Sequence, residues 1–331
     1  MCKSIPVIII HGLLLLSSAA GQRVTLVTDR ELGSPARHGL SKLEDALRVQ
    51  GLTVERTTAA AKPAGDFVVL AGLSGGGGPA ARQLQAPPSG PEALVVKWTN
   101  YQGKPAVVLC GADARGLMYA ALDAAERIRW AEDRAAPFAH IRDTSEKPYV
   151  RERAISIYTM QRAYFESRLY DEKYWQRYFD MLAASRINGF VIIFGYENGG
   201  FLAPTYPYFF DVPEFPEVKM VGLTREQQER NTAAFRAMIR IAHERGVDFI
   251  PAPWDHIYRG GVQGGGIAGA SELAGKPTPG LVWGVTTENV AAYNKTAISK
   301  FLDVFPDVDA LQFRMHAESG LKPSEMEGFW H

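Results

Sequence analysis

The sequence predicts an α/β protein: a small α+β N-terminal domain followed by an incomplete (β/α)8 TIM barrel of about four βα units. Three observations carry this expectation. The second half of the chain alternates strand-like and helix-like segments from Ala154 to Met315. Its returns from helix to strand are short, at Asn188-Gly189, Gly246 and Pro306-Asp307, whereas its exits from strands are long, above all Glu197 to Leu223 and Trp254 to Thr286. The first half has another rhythm, with several strands before its last helix. Tight αβ turns beneath elaborate βα loops are the mark of a barrel whose site is built from those loops. A doubly wound sheet is the alternative, but the phosphate-binding glycine turn after the first strand is missing.

The elements follow in order. Lys3 precedes the apolar run Ile5 to Leu16, and Ser18-Ala19-Ala20 follows it. A positive start, an apolar run too short to span a bilayer and small residues at its end predict a signal peptide over residues 1–20. The expected location is secreted or periplasmic, with no membrane association after cleavage. Cleavage removes Cys2 and leaves Cys110, in the apolar run Ala106 to Cys110, as a buried small hydrophobe with no disulfide partner.

Val24 to Thr28 reads as a strand, and Leu40, Leu43 and Leu47 recur at helical spacing until Gly51. Val54 resumes a strand and Phe67 to Ala71 makes another. Gly75 to Gly78 and Ala86 to Pro91 are loops. Ala93 to Trp98 and Ala106 to Cys110 flank a hairpin turn over Asn100 to Lys104. Arg115 to Trp130 puts Leu117, Ala121, Leu122, Ala125 and Ile128 on one helical face. Residues 21–147 therefore read as the small domain, with Thr144 to Pro148 as a linker. Residues 148–331 read as the N-terminal half of a barrel.

In that half, Ala154 to Thr159, Phe190 to Phe194, Val247 to Ala252 and Val308 to Met315 are the expected strands. Between them lie helices over Asp171 to Ile187 (Trp175, Phe179 and Leu182 inward), from the capping box Thr224-x-x-Gln227 (Phe235, Met238, Ile239 and Ala242 inward), and over Thr287 to Phe305 (Val290, Tyr293, Ala297, Phe301 and Phe305 inward). A closed barrel needs eight strands and about 250 residues. Half a barrel leaves two open parallel edges, so the chain is expected to be the first piece of a longer protein or to close as a homodimer.

Composition sets the partner class. The 331 residues contain 36 Lys+Arg against 36 Asp+Glu, which removes the electrostatic case for nucleic acid or an anionic membrane. Hydrophobic content of 46% and charged content of 22% exclude a disordered, coiled-coil or collagenous chain.

In a barrel, residues just after each strand point into one cleft. Here these are Tyr158 and Arg162; Tyr196, Glu197 and Asn198, followed by the aromatic run Tyr206 to Phe210; Trp254, Asp255 and His256; and Arg314, His316 and Glu318. Rings, carboxylates, Arg, Asn and His in one mouth describe a carbohydrate site. Glu318 is the candidate catalytic acid, because partial burial at a strand end raises a carboxyl pKa toward the working range. Its structural alternative is a loop carboxylate that caps the next helix. Tyr158, Arg162, Glu197, Asn198, Trp254, Asp255, His256, Arg314 and His316 are the candidate substrate-binding residues.

No cofactor and no metal site are expected. His316-x-Glu318 lacks the Pro-Cys-x-x-Cys half of a zinc deaminase, and Gly260 to Gly269 lacks the Lys-Ser/Thr of a P-loop. Asn294-Lys295-Thr296 is a formal glycosylation sequon.

Two stretches resemble a known group of glycoside hydrolases. Gly111-Ala112-Asp113-Ala114-Arg115-Gly116-Leu117-Met118-Tyr119-Ala120 resembles the "D-x-R-G-x-x-Y-G" stretch that closes the small N-terminal domain of β-hexosaminidases and α-glucuronidases, ahead of a TIM barrel, with Ala120 where Gly is usual. Gln312 to Gly320 is similar to the strand end that carries the general acid Glu in both families. Hexosaminidases place an Asp directly before that Glu; here the position is Ala317. The resemblance implies an exported α-glucuronidase-like glycosidase, with Glu318 as general acid and Arg162 and Arg314 as partners for a uronate. It also implies that the Asp113–Arg115 pair holds the small domain together, away from substrate.

The second carboxylate is expected at Glu197, at Asp255 or on a later strand. A separation of about 5 Å from Glu318 would mean retention of configuration, and about 6.5–9.5 Å inversion. The alternatives are a non-catalytic carbohydrate-binding protein, an inactive truncated fragment, or a β-N-acetylhexosaminidase.

Overall fold

The computed structural model describes residues 22–58, 63–157, 167–193, 206–253, 258–259, 262–263, 277, 279, 282–286, 288–313 and 327–328. The expected signal peptide over residues 1–20 and the glycine-rich stretch 264–269 lie outside them.

The first half builds a six-stranded sheet. Strands β1 (Arg23–Thr28), β2 (Thr53–Thr57), β3 (Phe67–Leu73), β4 (Leu94–Tyr101), β5 (Lys104–Gly111) and β6 (Thr144–Glu146) run in the order β2-β1-β3-β5-β4-β6. The first four of that order are mutually parallel; β4 joins β5 antiparallel, and β6 joins β4 antiparallel. Alternation sends Val24 and Leu26 to one face and Val27 to the other. Helices α1 (Ser34–Val49) and α3 (Ala114–Arg129) cover the first face, and the short α2 (Pro79–Arg82) lies on the second. The expected hairpin is β4–β5, turned at Gln102 and Gly103 with φ of 51° and 81°, the pair of positive values that a tight two-residue hairpin turn requires. The expected linker is corrected at its start: Thr144–Glu146 pairs with Leu94–Val96, because β4 otherwise presents an open edge.

Local signals explain the helices. Pro35 opens the first turn of α1, and Gly51 (φ 86°) ends the chain's helical course behind it. Asp113 caps α3 by accepting from Gly116 N at 2.8 Å. The two helices cross at Gly39, where a Cβ would stand 2.8 Å from both Cα and O of Met118. Cys110 is buried as expected, and burial, with the charge of Asp29 behind it, pushes its thiol up to about 12.

The second half builds a parallel sheet of β7 (Ala154–Ile157), β8 (Gly189–Ile193) and β10 (Asp248–Ala252), in the order β10-β8-β7. Helices α4 (Glu172–Ala184), α5 (Arg225–Glu244) and α6 (Val290–Val304) accompany it. The capping box at Thr224 and Gln227 is formed in full. Short pairs complete the elements: β9 (Lys219–Met220) with β13 (Val282–Trp283), and β11 (Tyr258–Arg259) with β12 (Val262–Gln263), both antiparallel. Phe190, Ile192 and Phe249 face the helices, while Val191, Ile193 and Ala252 form a separate cluster on the other face.

An aromatic core binds helices to sheet. Phe235 meets Phe249 at 5.2 Å and Phe305 at 4.8 Å, edge to face, and Phe179 meets Phe190 at 5.2 Å. Such pairs contribute about 0.5–1.5 kcal/mol each beyond area burial.

Two expectations need correction here. Residues 308–313 run along β10 without becoming a regular strand. Asp309 N donates to Phe249 O and Gln312 N to Pro251 O, but Phe249 N donates to the Asp309 carboxylate, where a ladder would use a backbone carbonyl. Among the described residues the parallel sheet is open and no barrel closes. Second, the run Tyr206 to Phe210 is core: Tyr206, Tyr208, Phe209 and Phe210 are all buried. Polar side chains of α5 hold its backbone, with Asn231 Nδ2 on Tyr208 O at 2.8 Å and Gln228 Nε2 on Pro207 O at 3.1 Å. Those rings are no stacking platform for a sugar. Asn294 of the sequon is likewise buried, its amide donating to Val290 O within α6.

The two sheets meet through their helices. Asp180 of α4 accepts from Lys42 of α1 at 2.7 Å and from Arg245 at 3.0 Å, and Ala183 of α4 packs into the core beneath α1 and α3.

Candidate functional site

Parallel pairing brings the carboxyl ends of β7, β8 and β10 to one edge, with Ile157 opposite Ile192 and Ile193 opposite Ala252. Tyr158 follows Ile157 directly, Trp254 follows Pro253, and Arg314 follows Phe313, the last described residue of the segment beside β10. The candidate catalytic Glu318 and the candidate binding residues Tyr158, Arg162, Glu197, Asn198, Trp254, Asp255, His256, Arg314 and His316 all lie outside the described residues. The three parallel strands and the segment 308–313 beside β10 thus end at one edge.

The opposite, amino-terminal edge is described in full. A cleft of about 750 Å³ opens there, lined among others by Glu92, Arg115, Tyr149, Asn188, Asp248 and Asp309. Glu92 is 5% exposed and holds a left-handed backbone, φ 59°. Its Oε1 accepts from Asn188 Nδ2 at 2.7 Å, and its Oε2 pairs with the Arg153 guanidinium. Arg115 Nη1 lies 3.6 Å from Oε1, and Arg115 Nη2 pairs with Asp248. Asp113, besides capping α3, accepts from Glu92 N at 2.8 Å. Asp113 and Arg115 both act within residues 21–147, through Glu92, but Arg115 also reaches beyond them to Asp248, the first residue of β10.

Electrostatics follows from these partners. Burial alone would lower the Arg115 pKa, but the hydrogen bond and charge of Asp248, with Glu92 adding, leave it above the usual value. Burial, reinforced by Glu92, pushes Tyr119 up to about 12. Nearby, His243 Nε2 and Asp309 Oδ2 lie 2.8 Å apart. The Asp309 hydrogen bond raises His243. Burial would raise Asp309, but His243 and the Phe249 amide together hold it below the usual carboxylate range. Every carboxylate named here has a cation or a donor, so these groups fix geometry. Sequence reasoning missed Glu92, Arg153, Asn188 and Asp248. Its only hint was the Asp-x-Arg-Gly stretch around Arg115.

No protein-family model and no curated protein matches the chain. Among solved structures, its fold is similar to that of a GH138 enzyme targeting pectin rhamnogalacturonan II, with TM-score 0.62 and 15% identity over 93% of this chain and 40% of that one. CpGH84D (TM-score 0.48, 11% identity) and CpGH84B (0.45, 12%) match 88% of this chain and 41% and 40% of theirs. At these identities the likeness is one of fold, and it rests on the GH138 enzyme. The chain spans well under half the length of that protein.

Proposed function

We propose that this chain is part of an exported glycoside hydrolase acting on O-glycosidic bonds of oligo- or polysaccharides. In this reading residues 1–20 are a signal peptide, 21–147 a small α+β domain and 148–331 the first part of a (β/α)8 barrel. Glu318 protonates the glycosidic oxygen as general acid. Tyr158, Trp254 and the polar groups Arg162, Glu197, Asn198, Asp255, His256, Arg314 and His316 bind the sugar.

The observation that supports this reading is the shared edge: three parallel strands and the segment 308–313 end together, and a candidate follows each. The fold likeness to a pectin-directed enzyme adds a substrate class to test first. Arg162 and Arg314 favour an α-glucuronidase-like action on a uronate. Ala317 disfavours acetamido-assisted cleavage by a β-N-acetylhexosaminidase.

The test is hydrolysis of pectic and glucuronate-bearing oligosaccharides by the chain and by Glu318→Gln. The expected result is product from the first and none from the second, with calorimetric binding by both. Unchanged turnover in Glu318→Gln would overturn the assignment. Binding without product from either would point to a carbohydrate-binding protein or to a fragment inactive by itself.

A further inference from the structure

The candidate site residues follow the carboxyl ends of β7, β8 and β10 in sequence, whereas the side chains that tie those strands together lie at their amino ends and converge on one residue. Arg153 immediately precedes β7, Asn188 immediately precedes β8, and Asp248 begins β10. Glu92 grips the first two directly: Oε2 holds the Arg153 guanidinium and Oε1 accepts from Asn188 Nδ2 at 2.7 Å. It reaches the third through Arg115, which lies beside Oε1 and pairs with Asp248.

Asn188 stitches the set together. Its Oδ1 accepts from Arg153 N at 2.8 Å, its own amide donates to Arg153 O at 3.1 Å, and its carbonyl accepts from Asp248 N at 2.9 Å. Glu92 itself is anchored to the six-stranded sheet, because its amide donates to Asp113, the cap of α3. A buried carboxylate in a left-handed backbone is held there against strain. Removing one partner of such a set leaves the others buried and unpaired.

We propose that Glu92 is a positioning residue: it fixes the amino ends of all three parallel strands against the six-stranded sheet, and thereby sets the edge from which the candidate sugar site is built. Only the naming of that edge as the site rests on the proposed glycosidase function. The Asp-x-Arg-Gly stretch acquires a role in the same network, with Asp113 holding the Glu92 backbone and Arg115 carrying its reach to β10.

The test is native-state amide hydrogen exchange on the full chain and three variants, read residue by residue. Glu92→Ala should speed exchange at Asn188, Asp248 and the strand amides of β7, β8 and β10 by about tenfold or more, leaving β1, β3 and β5 protected. Glu92→Gln keeps an acceptor for Asn188 but no anion for Arg153 or Arg115, so β8 should recover while β7 and β10 stay exposed. Glu92→Gly relieves the left-handed backbone, so a purely backbone effect would raise protection; the expected result is loss, as in Glu92→Ala. Changes confined to residues 92 and 113–116, a uniform rise in both sheets, or a better-protected Glu92→Gly would each overturn the proposal. Should Glu92→Ala fail to fold, the strand-by-strand split in Glu92→Gln decides. None of these readings depends on turnover, so failure of the glycosidase reading is seen separately.

Discussion

Arg115, in the first turn of α3, pairs with Asp248, the first residue of β10, across the junction of the two sheets. The side chains are 28% and 39% exposed, so the pair is partly screened by solvent. A double-mutant cycle of Arg115→Met and Asp248→Asn measures it. The expected coupling is about 1 kcal/mol, above an isolated surface pair because Glu92 lies behind it. Strictly additive effects in urea unfolding would contradict the coupling.

Stability should fall on the acid side of neutrality because of His38. Burial lowers its pKa to about 4, with Asp180 opposing the shift. A lowered folded-state histidine contributes stability above its unfolded pKa of about 6.5 and loses it as pH falls toward 4, because the unfolded chain takes up the proton first. The expected loss is on the order of 2 kcal/mol. Urea midpoints between pH 4 and 8 check it: His38→Gln should flatten the slope.

His243 should act in the opposite sense, and its partner Asp309 in the same one. The raised His243 stabilises fully below about 6.5 and is lost as pH rises through its folded value. The lowered Asp309 stabilises above about 3.8 and is lost as pH falls through its folded value. The pair is therefore most effective between about pH 4 and 6.5. His243→Gln should cost most in that window and little at pH 8; a pH-independent cost would count against it.

Gly39→Val should destabilise by about 1–3 kcal/mol, since the added carbons meet the Met118 backbone at the α1–α3 crossing. Thermal unfolding reads this directly, and an unchanged midpoint would mean the helices part freely.

Phe209→Ala should cost about 3–5 kcal/mol in unfolding free energy, because the ring is buried among Phe235, Phe301 and Phe305. A ring that served sugar binding would instead show weakened oligosaccharide binding at unchanged stability.

What was legible in the sequence was local. Leu40, Leu43 and Leu47 at helical spacing, the capping box at Thr224 and the turn at Gln102-Gly103 each report their neighbours, and each element formed. What was missed depends on partners far along the chain. Glu92 meets Arg153 and Asn188 across 61 and 96 residues, and Arg115 meets Asp248 across 133; no periodicity records such meetings. The Tyr206–Phe210 run read as an exposed mouth because aromatic rings suit a sugar face and a core equally well. The irregularity at 308–313 arises from one side chain, Asp309, taking the place of a backbone acceptor, which strand propensity does not foresee.

The most direct measurement is product release from a pectic or glucuronate-bearing oligosaccharide by the chain beside Glu318→Gln, with binding followed by calorimetry. The expected result is turnover lost and binding kept in the variant. Equal release by both would contradict a glycosidase with Glu318 as its acid.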